Sequence, residues 1–191
     1  MPPANGILTR GAGAATELDS VVHAHGLSAS VVSGCNTVRG LGRMLAYHVV
    51  QDARVTGSTA TDLEAKVAAT LRALHNSDIV FTHVKAPDIC AHDREPIAKR
   101  DFLERLDAAL APLAGQPSVI ALAADHTTDS NTGFHTADPV PALLHVPGRG
   151  DRHKAVKFGE SACREGNLPR QVSYNFLLEF IRATGAGRPA P

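Results

Sequence analysis

The chain has 191 residues, 19 basic and 19 acidic, so its charge balances and no bulk attraction to nucleic acid or an anionic membrane follows. Six Phe, two Tyr and no Trp leave little for base-stacking platforms, and no apolar run approaches the ~20 residues of a bilayer span. Met1-Pro2-Pro3 does not begin a signal peptide, so the expectation is a cytoplasmic protein with neither nucleic acid nor membrane as partner.

In chain order, residues 6–9 lead into Gly11-Ala12-Gly13, and Leu18, Val21 and Val22 begin a helix that Gly26 is placed to stop. Residues 28–33 (SASVVS) read as a strand and 47–50 as a weaker one. Thr61 and Glu64 have capping-box spacing, and the helix they open carries Leu63, Val67, Leu71 and Leu74 on one face. Residues 78–84 (DIVFTHV) form a continuous apolar run, as expected of a strand covered on both sides. A helix is predicted over 96–113, with Leu103, Leu106 and Leu110 in register. Strands follow at 118–123 and 142–146, and a closing helix over 171–183 presents Phe176, Leu177 and Phe180. This alternation argues for one α/β domain over residues 1–191, a mostly parallel sheet with helices on both faces in three layers. Active sites of such folds lie beyond the carboxyl ends of the strands.

Those strand ends carry the unusual side chains. Asp88 and His92 follow the 78–84 strand as DxxxH. Asp125-His126 ends the 118–123 strand, and His135 comes nine residues later, ahead of Asp138-Pro139-Val140-Pro141. Each element has an ordinary structural use: Asp88 near a helix start complements the dipole, and Asp125-His126 suits a turn. Together they put five oxygen and nitrogen donors on neighbouring loops, a mixture that zinc and manganese accept. Cys35, Cys90 and Cys163 form no CxxC pair and read as incidental thiols rather than a disulfide or zinc framework. Thr127 and Thr128 read as turn hydrogen-bonders beside Asp125. His83 is either a partner orienting a metal ligand or a core-facing strand histidine. Asp138 to Pro141 reads as a fixed approach to the next strand.

The combination of DxxxH, Ala124-Asp125-His126-Thr127-Thr128 and His135-Thr136-Ala137-Asp138-Pro139-Val140-Pro141 resembles the archaeal-type cofactor-independent phosphoglycerate mutases of the alkaline phosphatase superfamily. Asn5 to Gly13, Phe81 to Asp88, Lys157 to Glu160 and Gly166 to Leu168 match the same pattern, so the resemblance covers nearly the whole chain. It implies an alkaline phosphatase-like core, truncated to its C-terminal portion, and a two-metal (Mn or Zn) phosphoryl-transfer site. Asp88, His92 and His135 match the ligands of one ion. Asp125 and His126 match two ligands of the other, so only the first site has all its protein ligands here. Arg10 and Lys85 are candidate phosphate-binding residues, and the substrate class is a small phosphorylated or phosphonate acid. In the family a serine attacks the phosphate, forms a phosphoserine and returns the group to another hydroxyl. That serine and an aspartate ligand come from a family segment without a counterpart in these residues, so no catalytic nucleophile is assigned, and Asp129 stands where the family usually has proline. Three outcomes remain open: hydrolysis by a metal-activated water, completion by a partner chain or a second copy, and a non-catalytic metal-binding subunit.

Overall fold

The computed structural model describes residues 13, 14, 16–149 and 157–185. Its centre is a three-stranded parallel sheet in the order β2-β1-β3: β1 (Ala29–Val32), β2 (His48–Val49) and β3 (Ile79–Thr82). Ala29 pairs with Ile79 and Val32 with Thr82 along one side of β1, while Ser30 and Val31 pair with His48 and Val49 along the other. All four residues of β1 are buried, as a strand with a layer on each face requires.

Alternation along the strands sorts the side chains into two cores. Ala29, Ile79 and Phe81 face α1 (Val21–Ala24) and α7 (Ser173–Ala183), packing with Val22, Leu177, Phe180 and Ile181. On the other face Val32 and Val80 meet Ala69 of α3 (Leu63–Ala73) and Val55. Behind α3, Leu63 packs with Phe102 of α5 (Pro96–Ala114) and Ala86 of α4 (Ala86–His92). The α/β class, with a parallel sheet and helices on both of its faces, is therefore as expected.

Four details differ from the sequence expectation. α3 is capped by Asp62, whose carboxylate accepts the Ala65 amide at 2.7 Å, while the Thr61 hydroxyl accepts the Thr56 amide. The buried stripe of α5 runs through Phe102, Leu106 and Ala109, leaving Leu103 exposed, because the larger aromatic ring takes the core position. α2 (Asn36–Met44) was not foreseen; Gly40 and Gly42 lower its helix propensity, yet Gly42 lets it lie close to Val31 and Val49. Finally, β4 (Ile120–Ala123) and β7 (Ala142–His145) pair antiparallel in a sheet of their own, and β5 (Thr127–Asp129) and β6 (Phe134–Thr136) form a separate hairpin. α6 (Glu160–Arg164) completes the described elements. Among the described residues no helix is long and apolar enough to cross a membrane.

Candidate metal centre

Asp88 and His92 lie within α4, not on a loop. Pro87 in the first turn needs no amide partner there, and Asp88 beside it meets the positive end of the short helix. His92 follows one turn later on the same face, which brings its Nε2 to 3.4 Å from Asp88 Oδ1.

The β5–β6 hairpin supplies the opposing wall. Thr128 sits directly across from His135, so their side chains share a face, and alternation puts His126, two residues before Thr128, on that face too. His135 Nε2 lies 3.6 Å and His126 Nε2 3.9 Å from the same Asp88 oxygen. The His126 and His135 rings stack with centroids 3.9 Å apart. Asp88 Oδ1, His92 Nε2 and His135 Nε2 thus converge on one point, with candidate ligand atoms within 4.8 Å of one another.

The hydrogen bonds around this point fix where the protons are. His92 Nδ1 lies 2.7 Å from the Gly133 carbonyl. A carbonyl only accepts, so Nδ1 carries a proton, and in the neutral ring Nε2 presents a lone pair. The Thr128 hydroxyl donates to Asp88 Oδ1 at 2.6 Å, and so accepts from His126 Nδ1 at 3.2 Å, baring the Nε2 of that ring as well. His92 Nε2 and His135 Nε2 are 3.1 Å apart. That separation suits one shared proton or a cation bound by both rings, and with the Asp88 oxygen beside them the donor set fits a divalent ion.

Burial of Asp88, whose side chain is 14% exposed, pushes its carboxyl up. Hydrogen bonds from Lys85 and Thr128, with the Lys85 and His92 charges, outweigh that and bring it down to about 2. The same contact holds the Lys85 ammonium above its ordinary range. Asp88 is therefore an ionised, oriented acceptor at neutral pH.

The other expected residues are placed as follows. Asp125 is 78% exposed at the rim, with Oδ2 3.3 Å from His126 Nε2. Lys85 is ion-paired with Asp88. Arg10 lies outside the described residues. The half-buried His83 ring meets the Ser33 hydroxyl at 3.2 Å, and burial lowers its pKa against the opposing charges of Asp125 and Asp88. Thr128 is a hydrogen-bonder, as expected, but from strand β5 rather than a turn, and to Asp88 and His126. The three cysteines are free.

Gly133 was missed by sequence reasoning. It has φ +75°, and a Cβ there would lie 2.9 Å from the His92 carbonyl oxygen. Its signal was present in the Asp129-Ser130-Asn131-Thr132-Gly133 run, turn chemistry that closes a hairpin. Lys99, which donates to the Thr128 carbonyl at 3.2 Å, carried no comparable signal.

Comparison with known proteins bears on the family. The profile described as the Metalloenzyme superfamily matches residues 4–174. A 2,3-bisphosphoglycerate-independent phosphoglycerate mutase of Methanoculleus marisnigri is 40% identical over 172 residues, covering 89% of this chain and 41% of the relative. The enzyme of the same name from Methanopyrus kandleri is 40% identical over 186 residues, 95% of this chain and 44% of the relative. A solved structure from Pyrococcus horikoshii superposes with a TM-score of 0.83 at 26% identity, covering 91% of this chain and 53% of that one. The chain thus spans less than half the length of these two curated relatives.

Proposed function

The chain belongs to the Metalloenzyme superfamily, and on that footing we propose that it binds a divalent cation on Asp88, His92 and His135 and serves phosphoryl transfer on a small phosphorylated acid. One observation carries the proposal: a single Asp88 oxygen faces the Nε2 atoms of His92, His126 and His135, with the opposite nitrogens of His92 and His126 hydrogen-bonded elsewhere. Nitrogen and oxygen donors in this mixture suit manganese or zinc. Asp125 and His126 are two ligands of a second ion, whose remaining ligands come from residues outside these 191. Bound there, the ions supply Lewis acidity toward phosphoryl oxygens.

The chain's own groups prepare the site. Gly133 and Thr128 hold His92, Asp88 and His126 in their ligating orientations. Lys85, 37% exposed beside Asp88, presents a cation to an arriving phosphate, and Arg10 is proposed for the same role. Phosphoglycerate is the first substrate to test, because both curated relatives carry that name. A phosphonate, or hydrolysis in place of isomerisation, belongs to the same proposal.

A second reading, a metal-binding subunit that is silent without a partner chain, is favoured by one feature. From residue 103 to residue 180, Thr128 is the one buried residue among those described. The readings separate when the chain is incubated with Mn2+ and 3-phosphoglycerate and followed by 31P NMR. Formation of the 2-phospho isomer or of inorganic phosphate, lost in His135→Ala, supports the enzyme. No turnover by a chain that holds its metal supports the subunit. Turnover that survives both Asp88→Ala and His135→Ala contradicts the metal-centred reading.

A further inference from the structure

Between α3 and the β1–β2 side of the sheet lies a cavity of about 460 Å3, a volume within the range of small-molecule sites. Ala69, Arg72 and Ala73 line it from one face of α3, and Ser30, His48 and Val50 line it from the sheet. Two alanines stand where larger side chains would close the gap. The cavity sits at the amino ends of the strands, since Ser30 is the second residue of β1, His48 the first of β2, and Asn76 and Ser77 lead into β3. Asp88 and His92 follow the carboxyl end of β3, so the cavity and the candidate metal centre occupy opposite ends of the sheet.

The polar groups of the cavity are mostly donors. Ser30 is 1% exposed, and its hydroxyl meets that of Ser77 at 2.6 Å. Such a pair shares one hydrogen, and among the described residues neither hydroxyl has another partner, so the second hydrogen is left for an acceptor. The Asn76 side-chain amide and the His48 ring have no hydrogen-bond partner among the described residues either. One Arg72 nitrogen lies 3.5 Å from Asp52, which leaves the rest of its guanidinium fork to a ligand. No Asp or Glu lines the cavity. The carbonyls of Thr70, Arg72 and Ala73, at the end of α3, are already taken by the Leu74, His75 and Asn76 amides.

We propose that this cavity binds a small organic oxyanion, a carboxylate or phosphate ester on a short carbon stem. Its oxygens accept from the Arg72 guanidinium, the Asn76 amide and the Ser30–Ser77 hydroxyls, and its stem lies on Val50, Ala69 and Ala73. The bound anion bridges α3 to the β1–β2 side of the sheet. The inference stands or falls apart from the metal reading.

Two-dimensional amide NMR on the full chain as purified tests it. Sodium butyrate and inorganic phosphate are titrated separately, each against sodium chloride at equal ionic strength. Saturable shifts at Ser30, Asn76 and Ser77, half complete by about 10 mM, are expected with at least one of the two, and the tighter one tells carboxylate from phosphate. Arg72→Gln, at a side chain 60% exposed, is expected to weaken that binding by about tenfold or more with the rest of the spectrum unchanged. Ser77→Ala carries the same test should Arg72→Gln disturb the fold. Four results overturn the proposal: shifts that sodium chloride reproduces, shifts that do not saturate, shifts confined to residues around Asp88, and saturable binding that the substitution leaves intact.

Discussion

Thr128 is small and buried, but it ties the candidate centre together, since one hydroxyl donates to Asp88 and accepts from His126. Thr128→Val keeps shape and removes both bonds. The expected outcome is a cation affinity weaker by about 10- to 100-fold with the fold intact, measured by calorimetric titration with Mn2+; unchanged affinity would remove Thr128 from the site. Lys66 makes the opposite case. It is 2% exposed, its ammonium donates to the His83 carbonyl at 2.9 Å, and burial holds its pKa below the usual lysine range. A lysine depressed in the folded state binds fewer protons there than when unfolded. The penalty is present at low pH and relieved as pH rises through the depressed value toward the ordinary one. Lys66→Met should therefore be neutral or stabilising at neutral pH and should flatten the alkaline rise in stability. Urea unfolding at neutral and alkaline pH checks this, and a clear destabilisation at neutral pH contradicts it. The donors Asp88, His92 and His135 were legible because residue type and spacing announce ligands. Thr128 and Gly133 were not, because an orienting hydroxyl or carbonyl shows only when the hairpin brings it across from α4.

At the scale of elements, the hairpin and α3 give the sharpest tests. Gly133→Ala forces a side chain into a left-handed backbone region and against the His92 carbonyl. The hairpin must shift, moving the acceptor that orients His92, so cation affinity falls more than thermal stability does. A loss of stability with affinity unchanged would show that Gly133 serves only the turn. For α3, Asp62→Ala is expected to cost about 1 kcal/mol by denaturant unfolding, and Thr61→Ala should leave the helix cap intact. The strands β1 and β3 and the long helix α5 were readable from sequence because apolar runs and helical periodicity extend over many residues. α2 was hidden by its two glycines, and β5 and β6, three residues each, are too short to show a period. The DxxxH motif fell on a helix because Pro87 starts one immediately beyond β3.

Over the whole molecule, burial is uneven. The β2-β1-β3 sheet is covered on both faces by α1 and α7 and by α3, whereas the portion carrying β4 to β7 is half exposed. The candidate centre sits at the junction, with Asp88 and His92 from the well-packed side and His126 and His135 from the other. That placement puts the candidate ligands at the boundary between the two portions. The parallel sheet and its helices were legible as an alternation of strand and helix patterns. The separation of β4 and β7 was not, because strand pairing depends on what lies between two strands, which neither strand's sequence records. The most direct test of the metal assignment is elemental analysis of the chain purified without chelator, beside Asp88→Ala with its secondary structure confirmed by circular dichroism. The assignment predicts at least one manganese or zinc ion per chain, lost in the variant. A folded Asp88→Ala protein that keeps the full metal content would contradict it.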